Sequence, residues 1–171
     1  LFFLSFHTFS TFNNPYKKIN RKIIIDHHRR SADYIEDATL TFQEVYASSA
    51  AELVTELLQY TDVNVELKKI EAESLYAGIM MDTKSFTFKT GVRTFEAAAF
   101  LRRYGADVTR VRKAFRSDME TYKAKAEAVR HAEAFMGCYA ISNCPSEGLE
   151  SPTVVGAQAA NELLNIVGVK A

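Results

Sequence analysis

Tryptophan is absent from the 171-residue chain, cysteine occurs twice, proline three times and glycine seven times. Two thiols, Cys138 and Cys144, are too few for a disulfide framework and no metal-ligand spacing surrounds them, so a reducing compartment is the easier fit. Sparse proline and glycine, beside 47% apolar residues, exclude collagenous, low-complexity and wholly disordered chains. Net charge is lacking too. The 21 basic and 21 acidic side chains cancel, which removes the global positive excess of a nonspecific nucleic-acid coat and makes any anion site local. No apolar run reaches the ~20 residues that span a bilayer. The Leu1–Leu4 opening is interrupted by Ser5, His7 and Ser10 with no basic stretch before it, a poor signal peptide. These absences leave a soluble chain of about one domain's size, long enough to bury a real core.

The opening 16 residues interleave Phe2, Phe3, Phe6, Phe9 and Phe12 with Ser, Thr and Asn, without the period of a helix or strand. Residues 1–32 hold six positive side chains (Lys17, Lys18, Arg21, Lys22, Arg29, Arg30) against Asp26, a local charge of +5 in a neutral chain. Ile23, Ile24 and Ile25 form a β-branched run suited to a strand buried on both faces, as in a parallel sheet. Ser49 to Glu52 has capping-box spacing and opens a helix over 49–60. A second helix over 69–81 runs into Asp82. Phe86 and Phe88 alternate with Ser85 and Thr87, predicting a short strand or extended loop over 82–88. A helix over 94–104 is capped by Thr94 and closed by Gly105 in the left-handed conformation. Apolar residues from Val108 to Val129 step by three or four, predicting one long helix or two nearly collinear ones over 107–133. Met136 to Ile141 reads as a strand, 143–153 with Pro145, Gly148 and Pro152 as a loop, and 154–165 as a helix.

The candidate chemistry lies where the isoleucine strand ends, at Asp26-His27-His28-Arg29-Arg30. Ligands bind outside the carboxyl ends of strands in open α/β sheets, so titratable groups there are placed for reaction. Asp82 follows His27 by 55 residues and closes another buried element. An imidazole and a carboxylate on adjacent sheet positions are the mixed donors that Mn²⁺, Fe²⁺ or Zn²⁺ accept, although two ligands alone hold an ion weakly. His28, directly after a ligand histidine, is freed to meet substrate or a supporting carboxylate. Arg29 and Arg30 offer forked donors for phosphate oxygens. Lys84 and Arg93 are further phosphate contacts or solvated charges. Ser48 and Ser49 are caps first, though the helix start they fix could present N–H groups to phosphate.

The blocks IIIDHHRR, YASSAAELVTELLQY and AGIMMDTKSFTFKTGVRTFEAAAFLRRYGAD resemble the DHH phosphoesterases, most closely the catalytic module of GdpP-type cyclic-di-AMP phosphodiesterases. The resemblance runs from Ile19 to Ala171. It implies a partial α/β, parallel-sheet DHH lobe over 17–106, a helical linker over 107–135, and the start of a DHH-associated substrate-binding α/β domain over 136–171. It also implies two Mn²⁺ ions, with His27 and Asp82 as ligands, His28 on the scissile phosphate and Asp26 in support. Arg29, Arg30, Ser48, Ser49, Lys84 and Arg93 would face substrate. The ions would clamp the phosphoryl group and lower the pKa of a bridging water from 15.7 toward ~7, giving a hydroxide that opens cyclic-di-AMP to linear 5′-pApA.

The chain also departs from that pattern. The first family motif, with its His and two Asp ligands, has no counterpart, and the second is matched only by Ser5-Phe6-His7, which lacks a carboxylate. Residues 1–16 therefore read as foreign to the native frame, and no Gly-rich GGGH-like segment follows Met136. A chain that begins with Leu and closes by entering a strand reads as a piece of a longer one, expected alone to bind Mn²⁺ weakly and to hydrolyse cyclic-di-AMP negligibly. The parent is expected in the cytoplasm or anchored to the cell membrane with this module in the cytoplasm; this segment itself makes no membrane contact. A homodimer is compatible with the family. Two other readings stay open: a DHH hydrolase of short oligoribonucleotides, pApA or single-stranded DNA, and an inactive binding or dimerisation module.

Overall fold

The structure, a computed structural model, describes residues 21–30, 34–61 and 66–171, and the backbone of residues 2–4. It divides into two compact units, Leu1–Ala114 and Phe115–Ala171.

In the first unit, strands β1 (Phe2–Leu4), β2 (Ile23–Asp26) and β3 (Leu40–Gln43) form a parallel sheet in the order β1-β2-β3. The register places Ile23 against Phe2 and Leu40, and Asp26 against Gln43. The fold class is therefore α/β with a parallel sheet, and the isoleucine run is its central strand, with Ile24 and Ile25 buried. Within the aperiodic Phe-rich opening, Phe2–Leu4 is nonetheless strand; three residues are too few to display an alternation.

Among the described residues this unit has the helices α1 (Ala50–Tyr60), α2 (Lys69–Asp82), α3 (Val92–Arg103) and α4 (Val108–Ala114). Ser49 Oγ accepts the Glu52 N–H at 3.0 Å and fixes the start of α1. Ala72, Ile79 and Met80 of α2 and Ala97 and Leu101 of α3 belong to one buried cluster, which Ala51 and Val111 join from α1 and α4. A second cluster, Ile25, Ala47 and Leu53, seats α1 on the sheet.

Small residues set the approach of α1 to α2. A Cβ built on Gly78 would lie 2.9 Å from the Ala51 Cβ, which cannot swing aside. Gly78→Ala gains about 1 kcal/mol of helix propensity but overpacks this contact at a cost of ~1–3 kcal/mol. The expected balance is a loss of about 1 kcal/mol, read by calorimetry as a melting temperature lower by ~2–4 °C; an unchanged or higher value would show that the helices separate freely.

Several expected elements differ. Residues 83–89 form turns rather than a short strand or extended loop: Lys84, Ser85 and Phe86 have φ of 46°, 59° and 68°. Thr83, fully buried, organises them. Its hydroxyl donates to the Ile79 carbonyl at 2.6 Å and accepts the Phe86 N–H at 3.0 Å, while its carbonyl accepts the N–H groups of Thr87 and Phe88. The alternation of Phe86 and Phe88 thus came from a turn that stacks Phe86 between Tyr76 and Phe95. Helix α3 starts at Val92, two residues before Thr94, whose hydroxyl accepts the Gly91 N–H from the third helical position. Gly105 ends it with φ +90°, as its sequence position predicts.

Of the two alternatives over 107–133, one long helix or two, the structure has two, α4 and α5 (Met119–Arg130). Asp118 stops the run by accepting the Thr121 N–H at 2.8 Å, so it caps a new helix rather than continuing an old one. In the second unit the single strand expected over 136–141 is a hairpin, β4 (Glu133–Phe135) and β5 (Tyr139–Ile141). Met136 and Gly137 take φ of 51° and 72° and turn the chain. Helix α6 (Pro152–Leu163) begins at Pro152, the first-turn position that needs no N–H, and so shortens the expected loop. Ala124 and Ala128 of α5, and Val155, Ala159 and Leu163 of α6, are the buried positions of these helices.

Candidate active site

The carboxyl end of β2 delivers Asp26, His27 and His28 in succession. His27 Nε2 lies 3.5 Å from Asp82 Oδ2, the last residue of α2. The carboxylate therefore comes from a helix terminus, not from a neighbouring strand, and the two groups predicted to converge do so. The His27 side chain is 15% exposed and that of Asp82 41%, so the pair opens to solvent on the carboxylate side. Burial holds the His27 pKa below that of a free imidazole, and the neighbouring His28 lowers it further; Asp82, Asp26 and a hydrogen bond to the Ala47 backbone oppose this. The imidazole rings of His27 and His28 are 4.2 Å apart, centre to centre.

His28 is held by Asp26. Asp26 Oδ1 lies 2.8 Å from His28 Nδ1 and accepts the His28 backbone N–H at 3.1 Å. The carboxylate thus fixes both the ring and the peptide that carries it. Across the sheet, Gln43 Nε2 donates to the His28 carbonyl at 2.7 Å and the Glu44 N–H donates to the Asp26 carbonyl at 3.0 Å. The strand end is braced on the side of β3.

The other predicted residues are placed differently. Arg29 and Arg30 are exposed just past His28, and the Arg30 guanidinium sits 4.5 Å from the centre of the Tyr34 ring. Ser48 and Ser49 are buried. Ser48 Oγ donates to the buried Glu52 carboxylate, so Glu52 reaches Ser48 rather than closing the capping box with Ser49. Lys84 is exposed in the left-handed turn beyond Asp82, with its ammonium 5.9 Å from the Phe88 ring centre. Arg93 forms a forked pair with Glu56, both contacts at 2.7 Å, and lies 3.6 Å from Glu44. Its charge is engaged between α1 and the loop after β3. Gln43, Ala47, Glu52 and Thr83 were not singled out as site residues. Only Glu52 had a local signal, the capping-box spacing, and that pointed to the wrong serine.

Residues 7–79 match the DHH family, N-terminal domain. The chain carries a DHH-family domain. Its match begins inside the stretch read as foreign, and residues 5–16, with Ser5-Phe6-His7, lie outside the described residues. The chain is 43% identical over 155 residues to the cyclic-di-AMP phosphodiesterase GdpP of Bacillus subtilis, covering 90% of this chain and 24% of that protein. It is 42% identical over 149 residues to the cyclic-di-AMP phosphodiesterase PdeA of Listeria monocytogenes, covering 87% and 22%. It thus spans about a quarter of the length of these relatives. Among solved structures, an exopolyphosphatase-related protein from Bacteroides fragilis superposes with a TM-score of 0.74 at 22% identity, covering 87% of this chain and 45% of that one. That likeness concerns the fold alone. No helix among the described residues is long and apolar enough to cross a membrane.

Proposed function

We propose that this DHH domain supplies part of the active site of a metal-dependent phosphodiesterase that opens cyclic-di-AMP to 5′-pApA. The observation that carries the reading is the facing of His27 and Asp82. A lowered pKa leaves the imidazole neutral near pH 7. Its Nε2 faces a carboxylate oxygen of Asp82 at 3.5 Å, longer than an ordinary N–H···O bond. That spacing suits a cation shared between the two side chains.

The donor set fits a first-row divalent ion such as Mn²⁺, which takes imidazole and carboxylate together. The spacing suits neighbouring ligands whose bonds run ~2.0–2.2 Å. Among the described residues no third His, Cys, Asp or Glu completes the group, so His27 and Asp82 are two ligands of a set that needs others. A bound ion would polarise the phosphoryl oxygens and acidify a coordinated water. The chain's own residues do the rest. Asp26 holds both the His28 ring and its backbone N–H and so orients His28 toward the scissile phosphate, and Arg29 and Arg30 add forked donors beyond it.

Identity above 40% to two cyclic-di-AMP phosphodiesterases favours that substrate over short oligonucleotides. A cytoplasmic location and a homodimer are compatible with this proposal. Calorimetric titration of the full-length gene product with Mn²⁺ tests it: His27→Ala and Asp82→Ala should each weaken binding by ~100-fold or more, beyond the ~10–100-fold typical of outer partners. Unchanged affinity in both variants would end the assignment.

A further inference from the structure

Arg93 stands in the first turn of α3. A helix start favours anions, so the helix itself gains nothing from a guanidinium there. Its partners lie on other elements. Nε and Nη2 each donate to the Glu56 carboxylate of α1 at 2.7 Å, and Nη1 lies 3.6 Å from Glu44 Oε2 in the loop between β3 and α1. Exposed ion pairs contribute little as a rule, but a forked arginine bridging two carboxylates is the geometry that departs from it. Glu44 is the link to the site. Its N–H donates to the Asp26 carbonyl at 3.0 Å, and its own carbonyl accepts the Ala47 N–H at 3.2 Å. The preceding side chain, Gln43, donates to the His28 carbonyl at 2.7 Å. This corner therefore grips the backbone of the Asp26-His27-His28 turn at two carbonyls, while Asp26 grips the His28 ring.

We infer that Arg93 is a positioning residue: by tying Glu44 to Glu56 it pins the corner after β3 onto α1, and so steadies the backbone that carries Asp26 and His28. Its guanidinium serves the scaffold and does not meet phosphate. The inference rests on the proposed role of His28, but the backbone in question can be observed without metal or substrate.

The test pairs steady-state kinetics on the full-length gene product with NMR of the metal-free 171-residue chain. Arg93→Ala should lower kcat for cyclic-di-AMP by ~10–100-fold through misplacement of the reacting groups, with KM within a few-fold of wild type. Glu56→Ala should lower kcat by a similar factor, and the double variant by little more, because both substitutions release the same corner. A phosphate contact would behave otherwise: Arg93→Ala would raise KM, and Glu56→Ala, by freeing the guanidinium, would not lower kcat. His28-Arg29 is the one His-Arg step in the chain, so labelling His with ¹³C at the carbonyl and Arg with ¹⁵N gives a single signal from that peptide. Arg93→Ala and Glu56→Ala should each move it. Leu101→Val, further along α3 in the buried cluster, should lower the melting temperature yet leave kcat and the signal unchanged. A raised KM with wild-type kcat in Arg93→Ala, a wild-type signal in that variant, or the same displacement in Leu101→Val would overturn the inference. Absence of turnover by wild type would count against the proposed function, while the signal still decides this one.

Discussion

Removing either His27 or Asp82 from the full-length gene product should lower kcat/KM for cyclic-di-AMP by ~10³-fold or more, and removing both should cost little beyond removing one. The reason is the 3.5 Å spacing of the two side chains. If they serve one ion, the first substitution already disables that ion, and the second has nothing left to remove. Independent contributions would instead multiply to ~10⁶, about 8 kcal/mol in the barrier. Steady-state kinetics on wild type, His27→Ala, Asp82→Ala and the double variant close the cycle. Multiplicative losses, or single variants within a few-fold of wild type, would contradict a shared role. Melting temperatures should move little, because the Asp82 side chain is 41% exposed and neither group belongs to a buried cluster.

Asp26→Asn should lower kcat by ~10²–10⁴-fold, the range seen when the carboxylate orienting a catalytic histidine is neutralised, while Mn²⁺ affinity stays within a few-fold. Asp26 makes two bonds to the same residue, one to the His28 ring and one to its backbone N–H. Asparagine preserves size but loses the charge and can turn an N–H instead of an acceptor toward the ring. The His28 ring would then lose the partner that holds it toward phosphate. Adding His28→Ala to Asp26→Asn should cost little more, since both act through one imidazole. An Asp26→Asn protein that loses Mn²⁺ as severely as His27→Ala would make Asp26 a ligand, not an orienting group.

What could be read in the sequence follows from the range of each interaction. Ile23 to Ile25 declared a central strand because three β-branched residues in a row suit burial on both faces, and DHH followed at its end. The Ser49 cap and the Gly105 terminus depend on contacts within a few residues, and both appeared where expected. The helix ending at Asp82 was legible too, and with it the pairing to His27. Long-range partners were not. Arg93 looked available for phosphate because Glu44 and Glu56 are far from it in sequence, yet they take its guanidinium. Over 82–88 an alternation of apolar residues imitated a strand where Thr83 bends the chain, and over 136–141 only Tyr139–Ile141 is strand because Met136-Gly137 turn the chain before it. Over 107–133 the continuous apolar stripe left one helix or two open, and the Asp118 cap three residues before Thr121 decides for two.

The three left-handed residues after Asp82 make the spacing between that carboxylate and Phe86 a fixed gauge. Right-handed coil can take up an extra residue by sliding a hydrogen bond along, but here each N–H from Lys84 to Phe88 is already assigned to a carbonyl or hydroxyl of Ile79 to Thr83 or its immediate neighbours. An insertion would have to unwind the whole turn, releasing Phe86 from between Tyr76 and Phe95. Natural variation in this segment should therefore proceed by exchanging side chains at constant length.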